Sequence, residues 1–462
     1  MPQEIDRPDL VIRGRRVVTA ETVAPASVHI RDGRIVAIAG FGELPADCKV
    51  VEAAEDSIVM AGLVDTHVHV NEPGRTEWEG FESATRAAAA GGVTTIVDMP
   101  LNCIPATTTQ SSLDEKLIAT RGKLHVDVGF WGGVVPGNIT ELAKLWNAGV
   151  VGFKCFLIHS GVDEFPRVSE DDLRKAMPEL VRLGAILIVH AELPGPIDSC
   201  GGQAPLGADS RAYKTFLGSR PREAENQAIE LMIRLSRETR CRVHIVHHSS
   251  ADALLILSEA KSSGLPITAE TCPHYLHFAA EEIRDGATEF KCCPPIRERE
   301  NRELLWEALR EGTIDLVVSD HSPCPPQMKL REQGDFMEAW GGISSLQLRL
   351  PVMWTDASAR GFSLSQLAEW LCAAPARQVG LASRKGSIRV GCDADLIVWD
   401  PNREFTVDPA MIHHRHKLTP YAGERLRGVV EKTFLRGRMV YDDGEFVSDP
   451  RGRTVLRGMG MD

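Results

Sequence analysis

Eight short apolar runs separated by helical patterns fill the chain from about residue 59 to 385, and no other feature limits its possible folds so tightly. The runs are IVMAGLVDTH, GVTTIVDM, HVDVGFWG, VVGFKCFLI, AILIVHAE, RVHIVHHS, PITAETCP and DLVVSDH. Between them lie helix candidates such as FESATRAAAAG, ITELAKLWNAG and DDLRKAMPELVRLG, which close on Gly, the residue best able to end a helix in the left-handed region. Strands buried on both faces read as continuously apolar, so eight strand–helix repeats predict a (β/α)8 barrel. A doubly wound open sheet is the competing architecture. The chain has no G-x-G-x-x-G opening a helix after a strand and no G-x-x-x-x-G-K-[ST], which weakens the nucleotide-binding form of that alternative.

The two ends have a different texture. DLVIRGRRVVT and SVHIRDGRIVAIAG read as alternating strands with RDGR as a hairpin turn, and GSIRVGCDADLIVWD, EFTV and EKTFLRGRMVYDDGEFV repeat that texture late in the chain. They predict a small composite β-sandwich built from both ends, residues 1–58 and 386–462, with the barrel, 59–385, inserted between them. A chain of 462 residues with 43% hydrophobic content has enough apolar material for one large core and a smaller one.

Charge narrows the partners. The 52 basic residues are outnumbered by 64 acidic ones, and a net charge of −12 repels phosphate backbones and anionic membranes, so no nucleic acid is expected and a small-molecule partner is. No run approaches the roughly 18 unbroken apolar residues of a membrane helix. MPQEIDRPDL has neither a basic nor an apolar leader segment, and the 11 cysteines contain no C-x-x-C pair, which predicts reduced thiols in the cytoplasm.

In a (β/α)8 barrel the reactive residues stand at the C-terminal ends of the strands. The first run ends in Asp65, His67 and His69, and side chains two apart on a strand share a face, so both imidazoles aim into the barrel mouth. The fifth run ends in His190, the sixth in His247 and the eighth in Asp320, each after apolar residues. Two hydrogen-bonded core histidines would account for H-x-H alone, but not for donors converging from four strands. Neutral imidazole with carboxylate suits Zn, Co, Mn or Fe. His248 and His321 alternate away from the ligand direction and, with His244, read as supporting or packed residues; His274 and His277 follow strand seven with no role assigned.

Lys154 stands in the fourth strand, in GVVGFKCFLI, without an acidic neighbour. A buried ammonium lacking a partner is costly or loses its proton. One outlet is a neutral amine that adds carbon dioxide and becomes an anionic carbamate with two oxygens; the others are snorkelling to the rim or pairing with a distant carboxylate such as Asp320. Beside His67, His69, His190 and His247 the carbamate is preferred.

H-x-H after strand one, Lys in strand four, single His residues after strands five and six, and Asp after strand eight together resemble the binuclear metal-dependent amidohydrolase superfamily. GSIRVGCDADLIV resembles its composite β-sandwich. Longer stretches, HVHVNEPGRTEWEGFESATRAAAAGGVTT, DMPLN, GFKCF, KCCPPIRERENRELLW, VSDHSPCPPQMK, AWGGISSLQ and HHRHKLTPYAGERLRG, are similar to the allantoinases of its cyclic-amidase branch and are spread over nearly the whole chain.

The resemblance implies two divalent metal ions per chain, Zn first with Co, Mn or Fe compatible. One would be held by His67, His69 and Asp320, the other by His190 and His247, with Lys154 bridging both as N6-carboxylysine, a carbon dioxide carbamate. It implies that a metal-bridging hydroxide attacks a ring amide, that Asp320 is the catalytic base and then acid, that allantoin is opened to allantoate, and that the chain is a homo-oligomer, tetrameric by analogy. Asn71 stands where dihydroorotases carry an Arg for the substrate carboxylate, which fits a carboxylate-free ring. His159 stands where hydantoinases tend to place Tyr, and HAE at 190–192 where relatives commonly have HCE. Asn71, Cys293 and Gly341 are the implied substrate contacts, the last two through backbone. Cys155, Cys272, Cys292, Cys293 and Cys324 read as small buried residues, not as metal ligands or nucleophiles. The alternatives are a hydantoinase or dihydropyrimidinase and, less favoured because every ligand type persists, a non-catalytic dihydropyrimidinase-like scaffold.

Overall fold

A computed structural model describes residues 7–200 and 207–458 of the protein. Residues 1–6, on which the expected absence of a leader partly falls, and residues 459–462 of the C-terminal segment lie outside the described residues.

Five strands open the chain: β1 (Leu10–Val18), β2 (Val23–Arg31), β3 (Arg34–Gly40), β4 (Lys49–Glu52) and β5 (Ile58–Ala61). The predicted RDGR hairpin is present, with Asp32 and Gly33 both at positive φ (51° and 78°), as a two-residue turn matching strand twist requires. The barrel strands follow: β6 (Leu63–Val68), β7 (Val93–Asp98), β8 (Asp127–Phe130) with its continuation β9 (Gly132–Gly133), β10 (Phe153–Phe156), β11 (Ile186–His190), β12 (Arg242–Ile245), β13 (Ile267–Thr271) and β14 (Leu316–Val317). Four more strands, β15 (Leu396–Thr406), β16 (Arg425–Leu435), β17 (Arg438–Asp442) and β18 (Glu445–Phe446), complete the chain.

The outer strands β1–β5 and β15–β18 belong to one nine-stranded sheet, so both chain ends build a single β unit. The run IVMAGLVDTH, read as one strand, is two. Ile58–Ala61 pairs with β15 and β1 in that sheet, and Leu63–Val68 is the first stave of the barrel. The switch is at Gly62, where a Cβ would lie 2.3 Å from Thr94 side-chain atoms, closer than any side chain tolerates.

All pairings between staves are parallel, from β6 through β8 and from β9 through β14. The ring closes where Val68 bridges His321 and the His69 amide donates to the His321 carbonyl at 2.8 Å. β6, β7, β8, β10 and β11 are buried at every position, which is why they read as unbroken apolar runs. Helices Ile139–Ala148 and Glu170–Leu183 end on left-handed Gly149 and Gly184, as their sequences predict. The fold is therefore a (β/α)8 barrel carrying a composite β-sandwich. No helix among the described residues is long and apolar enough to cross a membrane.

Candidate active site

Closure of the barrel brings residues of five staves, β6, β10, β11, β12 and β14, to one cavity of about 300 Å³. His67, His69, Lys154, His190, His247 and Asp320 all line it. His67 and Lys154 lie inside β6 and β10, while His69, His190, His247 and Asp320 sit at or just past a stave end, where strand pairing stops and the backbone is free to turn. His247 and Asp320 do so at positive φ (37° and 45°), a costly conformation for residues with side chains and one held by surrounding structure.

His67 is the hub. Its Nδ1 donates to Glu270 Oε1 at 2.6 Å, so the Nε2 lone pair faces the cavity, 3.1 Å from both Lys154 Nζ and Asp320 Oδ1. Glu270, on β13, also accepts from His244 Nε2 at 3.0 Å, and His244 Nδ1 meets Thr268 Oγ1 at 2.8 Å. His69 Nε2 lies 3.7 Å from Asp320 Oδ1, with its Nδ1 3.4 Å from the Asn102 amide. His190 is oriented oppositely: its Nε2 donates to Glu192 at 2.8 Å, leaving Nδ1 for the cavity, while its ring stacks on Phe156. Glu192 also accepts from Arg220 at 2.8 Å; although burial works against the charge, Arg220 and His190 hold its carboxyl at about 2.

Burial sets the protonation of the cluster. It drives His67 and His69 well below the ordinary histidine range, with Lys154 adding to the effect, so both rings are neutral. Burial brings the Lys154 amine down to about 8 against the opposing pull of Asp320 and Glu270. It lifts Asp320 to about 7, opposed by Lys154. A lysine 1% exposed and a carboxyl that titrates near neutrality are poised for proton chemistry and for ligation.

The donor set fits metal. Nitrogens of His67 and His69 and an oxygen of Asp320 lie within 4.8 Å of one another, and His247 Nδ1 is buried without a hydrogen-bond partner. Neutral imidazoles and a carboxylate are the donors that borderline divalent ions prefer.

The substrate-contact residues divide. Cys293 and Gly341 line the cavity and face each other closely, a Cβ on Gly341 falling 3.2 Å from Cys293 Sγ. Asn71 does not line it; its amide donates to the Pro323 carbonyl at 3.3 Å in a buried loop. Asn102, in the motif DMPLN, occupies the wall instead. His159 is on the rim, exposed, 3.5 Å from Asp163. His321 faces away, toward Glu79 at 3.4 Å, and His248 is buried off the cavity. Glu270, Glu192 and Arg220 were not picked out from the sequence. HAE carried a signal for Glu192, since residues two apart on an extended segment share a face; nothing inside PITAETCP marks Glu270.

Comparison with known proteins places the chain among its relatives. A family model described as the amidohydrolase family matches residues 58–440. An allantoinase of Streptomyces avermitilis is 51% identical over 97% of this chain and 99% of its own length. An allantoinase of Arabidopsis thaliana is 43% identical over 96% of this chain and 90% of its own. Among solved structures, the L-hydantoinase (dihydropyrimidinase) from Arthrobacter aurescens superposes with a TM-score of 0.91 at 32% identity, covering 97% of this chain and all of that one (100%).

Proposed function

This chain belongs to the amidohydrolase family, and from that premise we propose that it opens the ring of allantoin to give allantoate. It is a metal-dependent hydrolase acting on the C–N bond of a cyclic amide, and its substrate is a small molecule. The observation that carries the reading is the convergence of His67, His69, Lys154, His190, His247 and Asp320 on one cavity.

In this reading His67, His69 and Asp320 would hold one divalent ion and His190 and His247 the other, with Lys154, as N6-carboxylysine, available as a ligand to both. Zn is the proposed metal; Co, Mn or Fe would accept the same donors. The chemistry such a pair supplies when bound is acidification of water and withdrawal of charge from an amide carbonyl. The rest falls to the chain. Glu270 and Glu192 fix the rings of His67 and His190 so that the correct nitrogen of each faces inward. Asp320, near neutral in its proton affinity, takes a proton from the attacking water and returns it to the leaving ring nitrogen. Cys293 and Gly341 present backbone to the ring, and Asn71, with no guanidinium at that position, suits a ring without a carboxylate.

Turnover of allantoin, hydantoin and dihydrouracil by one purified sample tests the substrate. A preference for either of the last two replaces this reading with a hydantoinase or dihydropyrimidinase, the activity by which the A. aurescens protein is named. Asp320→Asn is expected to fold normally and lose roughly 10²- to 10⁴-fold in kcat, and near-normal rates would place the proton carrier elsewhere.

We further propose a homotetramer, on family resemblance, with the second domain boundary kept at 385/386 and the first moved from 58/59 to Gly62, because Ile58–Ala61 pairs with β1 and β15. A cytoplasmic setting is supported by 11 cysteines that are all free, while a relative from Aquarana catesbeiana is named mitochondrial.

A further inference from the structure

The end of the seventh stave carries donor atoms that the proposed reaction leaves unused. Cys272 directly follows β13 and His274 lies in the short helix Pro273–His277; both are completely buried. Cys272 Sγ, a ring nitrogen of His274 and an oxygen of Asp320 lie within 4.8 Å of one another. Neither ring nitrogen of His274 has a hydrogen-bond partner among the described residues. Burying an imidazole without partners forfeits the hydration of both nitrogens, so such a ring marks a place for something else to bind.

Thiolate, imidazole and carboxylate together select thiophilic divalent ions over Mg²⁺ or Ca²⁺. We propose that Cys272, His274 and Asp320 form a third cation site, for a thiophilic divalent ion such as Zn²⁺ or Cd²⁺, beside the catalytic cluster, and that filling it inhibits the enzyme. On binding, the Cys272 proton leaves to solvent as the metal–sulfur bond forms. Asp320 then has an oxygen committed to this ion and no longer carries the reaction's proton. Of the three donors only Asp320 lines the cavity, so the ion would enter past it. Binding at the site stands on the geometry alone; only the inhibition rests on the proposed function.

The test uses enzyme loaded with its two metals and titrated with Cd²⁺, following the ultraviolet thiolate-to-cadmium absorption and turnover together. Wild-type protein is expected to bind one further equivalent, develop the band and lose turnover by roughly 100-fold. Cys272→Ser and His274→Gln are expected to keep basal turnover and both original metals. The first should lose the band, and the second should bind the extra ion about 10-fold or more weakly. Because Cys272 packs in the core, the His274 variant decides the matter if the serine variant does not fold. A full band in Cys272→Ser, or unchanged cadmium affinity in His274→Gln, overturns the site; binding without inhibition overturns its regulatory role. Failure of the proposed function is seen separately, as absent allantoin turnover before any cadmium is added.

Discussion

Lys154 concentrates the site's chemistry in a single amine. It is buried among neutral rings, and burial has already removed much of its hold on a proton, which is the condition under which carbon dioxide can add. Lys154→Ala is therefore expected to lose bound metal and turnover together, with short-chain carboxylic acids restoring part of both; elemental analysis that still finds two metals per chain would refute the bridge. Glu270 acts one step further out. Its carboxylate fixes the His67 tautomer and is itself fixed by His244. Glu270→Gln should fold and weaken metal binding by roughly 10- to 100-fold, read by competition with a chelator. An unchanged affinity would mean that His67 is oriented without it.

At the scale of elements, stave ends supply the cavity-lining donors and also much of their support. β7 ends in Asp98, which accepts from the Val70 amide at 2.9 Å and is paired with buried Lys116, so the segment just beyond His69 is pinned to the neighbouring stave. A second clamp joins barrel to sandwich. His277 Nδ1 lies 2.7 Å from Asp356, on helix Arg349–Ala359, and its Nε2 3.8 Å from Glu424, at the approach to β16. Burial alone would depress His277, but Asp356 and Glu424 outweigh it and lift the ring to about 9. The folded value lies above the ordinary histidine value of about 6.5. The clamp's stability is thus complete below pH ~6.5 and lost as pH rises through about 9. In thermal unfolding, His277→Ala should lower Tm at pH 6 and leave it nearly unchanged above pH ~10; a gap independent of pH would show that the charge is irrelevant.

Across the whole molecule, barrel and sandwich are locked by a buried ion cluster. Lys385 reaches Asp127 of β8 at 2.6 Å and Asp393 at 3.0 Å, and also pairs with Asp395; Arg436, beyond β16, joins at Asp127. Lys385→Met would leave Asp395 without a cation and take one of two cations from Asp127 and Asp393, which keep Arg436 and Arg384, and should cost about 3–5 kcal/mol in denaturant unfolding. A loss below about 1 kcal/mol would show that Arg436 suffices. These long-range pairings separate what could be read in advance from what could not. The placement of His67, His69, His190, His247 and Asp320 at one cavity was legible because strand periodicity and burial are local, and in a barrel the side chains that line the mouth stand near stave ends. The same local signal misled at Ile58–Ala61, whose apolar run continues into the barrel although its hydrogen bonds go to the outer sheet. Asn71 and Asn102 are both loop residues, and only loop packing put the second at the cavity wall. By itself the sequence determined the order of strands and helices and the donor types at the strand ends, since those depend on neighbours a few residues apart. Tertiary structure alone decided that Glu270 meets His67 across 203 residues, and that Cys272 and His274 meet Asp320, because contacts between staves exist only once the barrel has closed.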